Sequence, residues 1–123
     1  MLMEYRKIVQ LERKMEFYSH LDQEIENALT NDCYLCLQMD ANGKLGSQII
    51  QGDPNEMSPN GQLLFDLITR KSLVVINSTN KCHGIITRMR MKGKNKEQSV
   101  IDYFIVCQEL YNLVISMLVD EDR

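Results

Sequence analysis

One short stretch, residues 34–46, constrains most of what this chain can build. Its apolar beginning, Tyr34-Leu-Cys-Leu, predicts a buried strand over residues 33–39 that ends at Asp40. Asn42 and a glycine-punctuated turn follow directly. A strand that delivers a carboxylate and a carboxamide to the end of a sheet provides the polar groups that a metal–phosphate site requires. Such a site needs further groups from the rest of the chain.

Length, composition, net charge and cysteine content set broad limits on the fold and the partners of this chain. Its 123 residues, 44% of them hydrophobic, suit one domain or a part of one. The net charge of -3 does not decide whether nucleic acid is a partner, because the distribution of charge matters more than its sum. No apolar run is long enough to span a bilayer, so we expect no membrane association. Four cysteines without a secretory signal indicate reduced thiols and a nuclear or cytoplasmic location.

Hydrophobic periodicity and turn residues predict an α/β protein. Apolar residues at steps of three and four predict a long amphipathic helix over residues 5–29. A glycine- and proline-rich loop covers residues 43–58, and Ser58-Pro59 then provides a cap and a first-turn proline for a second helix. The β-branched run at residues 73–77 is typical of a strand. Near the end of the chain, the pattern predicts a short helix over residues 108–113 and a final strand over residues 114–118.

Two alternating segments, residues 85–91 and 99–106, predict a β-hairpin whose flexible tip is the basic stretch at residues 92–98. Residues 88–96, within the first segment and the tip, carry five cations and no acid: Arg88, Arg90, Lys92, Lys94 and Lys96. Such a positive ridge suits a nucleic-acid backbone. An edge strand that uses charge to prevent aggregation has the same pattern, so both interpretations stay open.

Asp102 lies on the second of these predicted strands, on one face with Val100, Phe104 and Val106. Because both faces of this strand are apolar, we expect it to be covered on both sides. A carboxylate in buried surroundings needs a partner, such as a histidine, an arginine or a hydroxyl group. Asp102 is therefore a candidate for a functional site and equally for a structural hydrogen bond.

Together these segments resemble the endonuclease/exonuclease/phosphatase superfamily, and within it the endonuclease domain that precedes reverse transcriptase in non-LTR retrotransposons. The segment Met39-Asp40-Ala41-Asn42-Gly43-Lys44-Leu45-Gly46 is similar to the family's GDFNAxxG segment. Four further segments follow in the family's order, at residues 60–64, 73–77, 86–88 and 99–103. The resemblance covers residues 5–118.

The resemblance implies a four-layer α/β sandwich and Mg²⁺-dependent hydrolysis of phosphodiester bonds, with DNA favoured over RNA. By position, Asp40 would hold the metal beside the attacking water, and Asn42 would bind the scissile phosphate through its amide. Asp102 would orient a histidine. A hard metal ion takes carboxylate oxygen, and a phosphoryl transition state needs fixed donors, so these residue types suit the chemistry.

The sequence also departs from the family. Met39 stands in place of a glycine, and Arg88 replaces the tryptophan that follows Thr87. The first half of the family's domain and its Ser-Asp-His segment have no counterpart, so we expect residues 1–123 to form one partial domain. Weak or no hydrolysis by this chain alone is then expected, with the missing half or a second copy as partner. The alternative is a non-catalytic module that binds nucleic acid or oligomerises.

Overall fold

The computed structural model describes the backbone of residues 2–40 and 43–121 and the side chains of residues 13–39 and 43–121. In chain order, its helices and strands are α1 (Leu2–Thr30), β1 (Cys36–Asp40), α2 (Pro59–Arg70), β2 (Val74–Val75), a 3-10 helix (Ile76–Ser78), β3 (Cys82–His83), β4 (Arg88–Lys92), β5 (Asn95–Ser99), β6 (Asp102–Val106), α3 (Gln108–Tyr111) and β7 (Met117–Leu118). The protein is therefore of the mixed α/β class, as the sequence predicts.

A three-stranded antiparallel sheet with the order β1-β6-β2 lies at the centre of the structure. Side chains alternate between the two faces of its middle strand, β6. Tyr103 and Ile105, on one face, are 2% and 0% exposed and belong to the hydrophobic core. Asp102 and Phe104, on the other face, are only half-buried. The prediction that β6 is covered on both sides therefore holds at Val106, which is 0% exposed, and is wrong for the part of that face that carries Asp102 and Phe104.

Helices α1 and α2 supply the part of the hydrophobic core that packs against the Tyr103 face of the sheet. Tyr18 and Ile25 of α1 are buried with Leu64 and Leu67 of α2. Helix α2 begins as its sequence predicts, because the Ser58 hydroxyl accepts a hydrogen bond from the N–H of Gly61 at 3.0 Å and Pro59 occupies the first turn. Both helices therefore pack on the Tyr103 face of the sheet and leave the Asp102 face to other neighbours.

The loop at residues 43–58 is fixed to the core by the hydroxyl group of Tyr103. This hydroxyl accepts a hydrogen bond from the N–H of Leu45 at 2.9 Å and donates one to the carbonyl of Val100 at 2.8 Å. Burial raises the pKa of Tyr103 to about 12. The loop also passes close to α2, since a Cβ atom at Gly61 would lie 1.9 Å from the carbonyl oxygen of Lys44. The chain that follows β1 is thus held against the sheet and α2.

The hairpin differs from the prediction in its pairing. Strand β4 pairs with β5, from Arg88 opposite Ser99 to Lys92 opposite Asn95. The turn between them is short because Gly93 adopts a φ of +61°, in the left-handed region that glycine enters without strain. Residues 95–98, predicted as part of a flexible tip, therefore form a strand. Strand β6 is the centre of the main sheet and does not pair with β4.

Two other predicted strands are shorter than expected. The β-branched run at residues 73–77 gives only the two-residue strand β2, because the chain turns into the 3-10 helix at Ile76. The strand predicted at residues 114–118 is confirmed only as β7, which pairs in parallel with β3. This pairing brings the C-terminal segment alongside residues 81–86.

Candidate functional site

A cleft of about 1100 Å³ opens on the face of the central sheet that carries Asp102. Gln38 of β1 and Phe104 of β6 line it from the sheet. Arg88, at the start of β4, and Asp120, after β7, line it from the two neighbouring segments. The cleft thus brings together parts of the chain that are far apart in sequence, and it joins the sheet to the base of the hairpin.

The register of β1 on β6 brings two of the predicted site residues together. Asp40 lies directly opposite Asp102 in this antiparallel pair. Residues in such positions share one face of the sheet, and their Cα atoms lie about 4.5–5.5 Å apart. Like charges directly opposite each other destabilise a strand pair, and a bound cation relieves this repulsion. Asn42, the third predicted residue, lies outside the described residues.

Two side chains fix the backbone on either side of Asp102. The Thr87 hydroxyl accepts hydrogen bonds from the N–H groups of Ile101 at 2.9 Å and Asp102 at 3.2 Å. The Asn77 amide donates to the carbonyl of Asp102 at 3.1 Å and accepts from the N–H of Phe104 at 3.0 Å. Asn77 therefore continues the edge pairing beyond the end of β2. We call these hydrogen bonds from Thr87 and Asn77 the clamp on Asp102. The sequence analysis did not predict it, and its one local signal is the amide side chain of Asn77 directly after a β-branched run.

The carboxylate of Asp102 is half-buried and lines the cleft. We expected a histidine, arginine or hydroxyl partner, but the Thr87 hydroxyl bonds the backbone of Asp102 rather than its carboxylate. Within the described part of the chain, no group forms a hydrogen bond or ion pair with this carboxylate. His20 and His83 are both exposed and neither lines the cleft. Among the described residues, the cleft therefore contains an acid whose carboxylate has no bonded partner.

The hairpin divides the five predicted cations between its two faces. Arg88, Arg90 and Lys92 alternate along β4, so they share one face, and all of β4 is exposed. Lys96 lies on the reverse face by register, and Lys94 lies in the turn. The single positive ridge predicted from the sequence is therefore a three-cation face with two further cations around it.

An acid interrupts the three-cation face. Glu97 lies opposite Arg90, and its carboxylate is 3.5 Å from the ammonium group of Lys92. Lys92 is exposed and Glu97 is half-buried, so this long ion pair contributes little to stability, but it lowers the net positive charge of the face. Arg88, opposite Ser99, lies outside this arrangement.

The C-terminal segment forms a wall of the cleft that sequence patterns did not predict. Strand β7 pairs with β3, and the Glu121 carboxylate accepts hydrogen bonds from the N–H groups of Ile85 at 2.6 Å and Ile86 at 2.7 Å. The bond from Ile86, and then that from Ile85, holds the pKa of Glu121 below its ordinary value, because both bonds favour the charged form. Leu118 and Asp120 line the cleft as a result.

The oxygen donors at this edge of the sheet suit a hard metal ion. Among the described residues, no cluster of three or more histidine, cysteine, aspartate or glutamate side chains is present. Mg²⁺ needs only one or two carboxylates when substrate phosphates complete its coordination. Two carboxylate-bearing residues at opposed register positions are of the type and number that Mg²⁺ requires when a phosphate completes its coordination.

No protein-family model, curated protein or solved structure matches this chain. In the part of the chain that the structure describes, none of the helices has both the length and the apolar character that crossing a bilayer requires. The functional argument therefore depends on the geometry of the cleft and the hairpin.

Proposed function

We propose that this chain is the C-terminal half of a Mg²⁺-dependent phosphodiesterase that resembles the retrotransposon endonucleases and nicks DNA, with weak or no activity of its own. The observation that carries the proposal is the register that places Asp40 opposite Asp102 beside a cleft. A four-layer α/β sandwich, completed by the other half of the domain, is part of this proposal.

Each residue of the site has a role in this proposal. Asp40 holds Mg²⁺ together with the substrate phosphate, Asn42 donates its amide to the scissile phosphate, and Asp102 orients a histidine from the rest of the domain. When bound, the metal polarises the phosphoryl group and lowers the pKa of the attacking water. Thr87 and Asn77 are positioning residues, because they fix the backbone of Asp102 from both sides. A site without the remaining ligands and the histidine should retain little of the rate.

The hairpin offers a surface for the DNA. All of β4 and the outer part of β5 are exposed, so the ribbon extends away from the core. The major groove of B-DNA admits a two-stranded ribbon, whereas that of A-form RNA is deep and narrow, so this shape favours DNA. Arg88, Arg90 and Lys92 would contact phosphates, with Lys94 and Lys96 adding positive charge nearby. Four free cysteines agree with a nuclear or cytoplasmic location.

A plasmid-nicking assay tests this function. Supercoiled plasmid and Mg²⁺ are incubated with this chain, with the N-terminal half of a retrotransposon endonuclease domain, and with both polypeptides. We expect nicking only in the mixture, and its loss in Asp40→Asn and Asp102→Asn. Asp66→Asn, which changes an exposed acid on α2, is the matched control and should nick like the unmodified chain. Nicking that persists in Asp40→Asn would contradict the proposed site.

A non-catalytic module that oligomerises or binds nucleic acid is the second candidate. Exposed apolar side chains favour it, since Leu113, Ile115 and Leu118 are 63%, 92% and 78% exposed on one short segment. A second copy would cover these side chains. Sedimentation equilibrium separates the two functions: a stable dimer that never nicks DNA supports the module, whereas a monomer that nicks after complementation supports the enzyme half.

A further inference from the structure

Arg88 differs from the other cations of the hairpin because it also lines the cleft. It is the first residue of β4 and directly follows Thr87, whose hydroxyl bonds the N–H of Asp102. Arg90 and Lys92 lie further along the exposed ribbon and do not line the cleft. Arg88 therefore lies where the cleft meets the three-cation face of the hairpin, next to Thr87, which positions Asp102.

Among the described residues of this face, Arg88 also differs from Arg90 and Lys92 in its cross-strand neighbour. Its cross-strand neighbour is Ser99, whereas Arg90 lies opposite Glu97 and Lys92 forms an ion pair with the same Glu97. Across the described residues, no group forms a hydrogen bond or an ion pair with the guanidinium group of Arg88. All its N–H donors are thus available to a ligand.

We propose that Arg88 binds a phosphodiester inside the cleft, beside Asp102, while Arg90 and Lys92 contact the nucleic-acid backbone farther along. A guanidinium group presents two parallel N–H donors to two phosphate oxygens, so it orients the phosphate as well as attracting it. Its charge also offsets the repulsion between a phosphate and the acids that share the cleft. This inference rests on the proposed function, because it takes a nucleic-acid strand as the ligand.

Amide NMR spectra recorded during titration with the dinucleotide TpT test the assignment, because TpT carries one phosphodiester and no terminal phosphate. We expect the signals of residues 77, 87 and 102–104 to shift. Arg88→Gln should weaken TpT binding by about tenfold, the usual cost of losing hydrogen bonds to a charged group. The TpT affinity of Arg88→Lys should lie between those of the unmodified chain and Arg88→Gln, since lysine keeps the positive charge but lacks the two parallel N–H donors.

Arg90→Gln is the matched control, because it removes a guanidinium group from the same face of the same strand. It should change TpT binding by less than about twofold, as expected for an exposed charge outside the site. Both arginines are exposed, so unchanged spectra of the unliganded variants verify that the fold is intact. If TpT shifts none of the expected signals, or if both glutamine variants weaken binding equally, the inference is overturned.

Binding of duplex DNA at low salt, measured on the same samples, separates this inference from the proposed function. Duplex binding together with equal TpT effects in the two variants would overturn the role of Arg88 alone. If TpT binds through Arg88 but duplex DNA does not bind, the proposal that the hairpin is the DNA surface is overturned, and the inference that Arg88 binds a phosphodiester is supported.

Discussion

The central pair β1–β6 and the hairpin β4–β5 have strands of equal length, five residues each, but they are held in different ways. Strand β6 has a neighbour on both edges and a face buried against two helices. Strand β4 pairs with β5 alone, and all of its residues are exposed. The two regions therefore differ in what they hold: the sheet fixes the position of Asp102, whereas the hairpin carries exposed charge.

The largest expected effect comes from matched apolar truncations in these two regions. Ile105→Ala removes a side chain that is fully buried in the sheet and should lower the free energy of unfolding by about 3 kcal/mol. Met91→Ala on the hairpin, where the side chain is 64% exposed, should change it by less than about 0.5 kcal/mol. Urea unfolding measures both, and equal losses would mean that the hairpin is packed against the core.

Tyr103→Phe tests how the sheet holds the loop at residues 43–58. The change leaves the N–H of Leu45 without its acceptor in a buried place, and this should cost about 2 kcal/mol in urea unfolding. Tyr34→Phe is the control, because Tyr34 is 66% exposed and should tolerate the change. An unaffected Tyr103→Phe variant would show that the loop does not depend on this hydroxyl.

The pKa of Tyr103 gives the same substitution a pH dependence. Burial raises the pKa from 10.0 to about 12, so the folded protein holds this proton more tightly than the unfolded chain does. The resulting contribution to stability is fully present below pH 10 and is lost as the pH rises towards 12. The free energy of unfolding should therefore fall less steeply in Tyr103→Phe over this interval, and identical slopes in the two proteins would be inconsistent with a raised pKa.

A smaller effect is expected at the junction of the two regions. Thr87→Val removes the acceptor of two backbone N–H groups and should cost about 1.5 kcal/mol, whereas Thr87→Ser keeps the hydroxyl and most of the stability. Thr69→Val, at an exposed position of α2, controls for the change of side chain. The amide NMR signal of Asp102 should change its chemical shift in Thr87→Val but not in Thr87→Ser or Thr69→Val. An unchanged signal in Thr87→Val would show that Thr87 does not hold the backbone of Asp102.

The smallest change in stability is expected on the hairpin itself. Glu97→Gln removes the acid from the three-cation face and should alter the free energy of unfolding by less than about 0.5 kcal/mol. Duplex DNA binding should strengthen by about twofold to threefold at low salt, and its dependence on salt should become steeper. Glu109→Gln on α3 is the control. If the two variants bind alike, this face does not meet the DNA.

Local signals in the sequence were sufficient for the helices and for the existence of the first strand. The prediction of a buried strand from residue 33 is wrong, because β1 begins at Cys36 at the edge of the sheet, and Cys36 and Gln38 are exposed. The start of α2 follows from Ser58 and Pro59, because capping depends only on neighbours along the chain. Strand pairing was not predictable in this way. Residues 99–106 alternate as a hairpin strand would, yet Ser99 ends β5 and Asp102 begins β6. The turn at Gly93 is local and pairs β4 with β5, whereas the Thr87 hydroxyl bonds the chain between β5 and β6 from a position 14 residues away in sequence.

The candidate site shows the same limit. Residue type made Asp40 and Asp102 candidates, because a carboxylate in apolar surroundings needs a partner, and the resemblance supplied the roles expected of them. Their direct opposition depends on the register between β1 and β6, which two distant segments set only when they meet. The clamp by Asn77 also depends on where β2 ends, and a β-branched run does not reveal that boundary.

The most direct test of the central claim, that Asp40 holds a cation beside Asp102, is paramagnetic broadening of amide NMR signals by Mn²⁺ in place of Mg²⁺. We expect Mn²⁺ to broaden the signals of residues 39–40 and 101–103 first, and Mg²⁺ to reverse the effect by competition. Asp40→Asn should abolish this broadening, whereas Asp66→Asn should not alter it. If these signals stay sharp when Mn²⁺ is added, or if their broadening persists in Asp40→Asn, the account is contradicted.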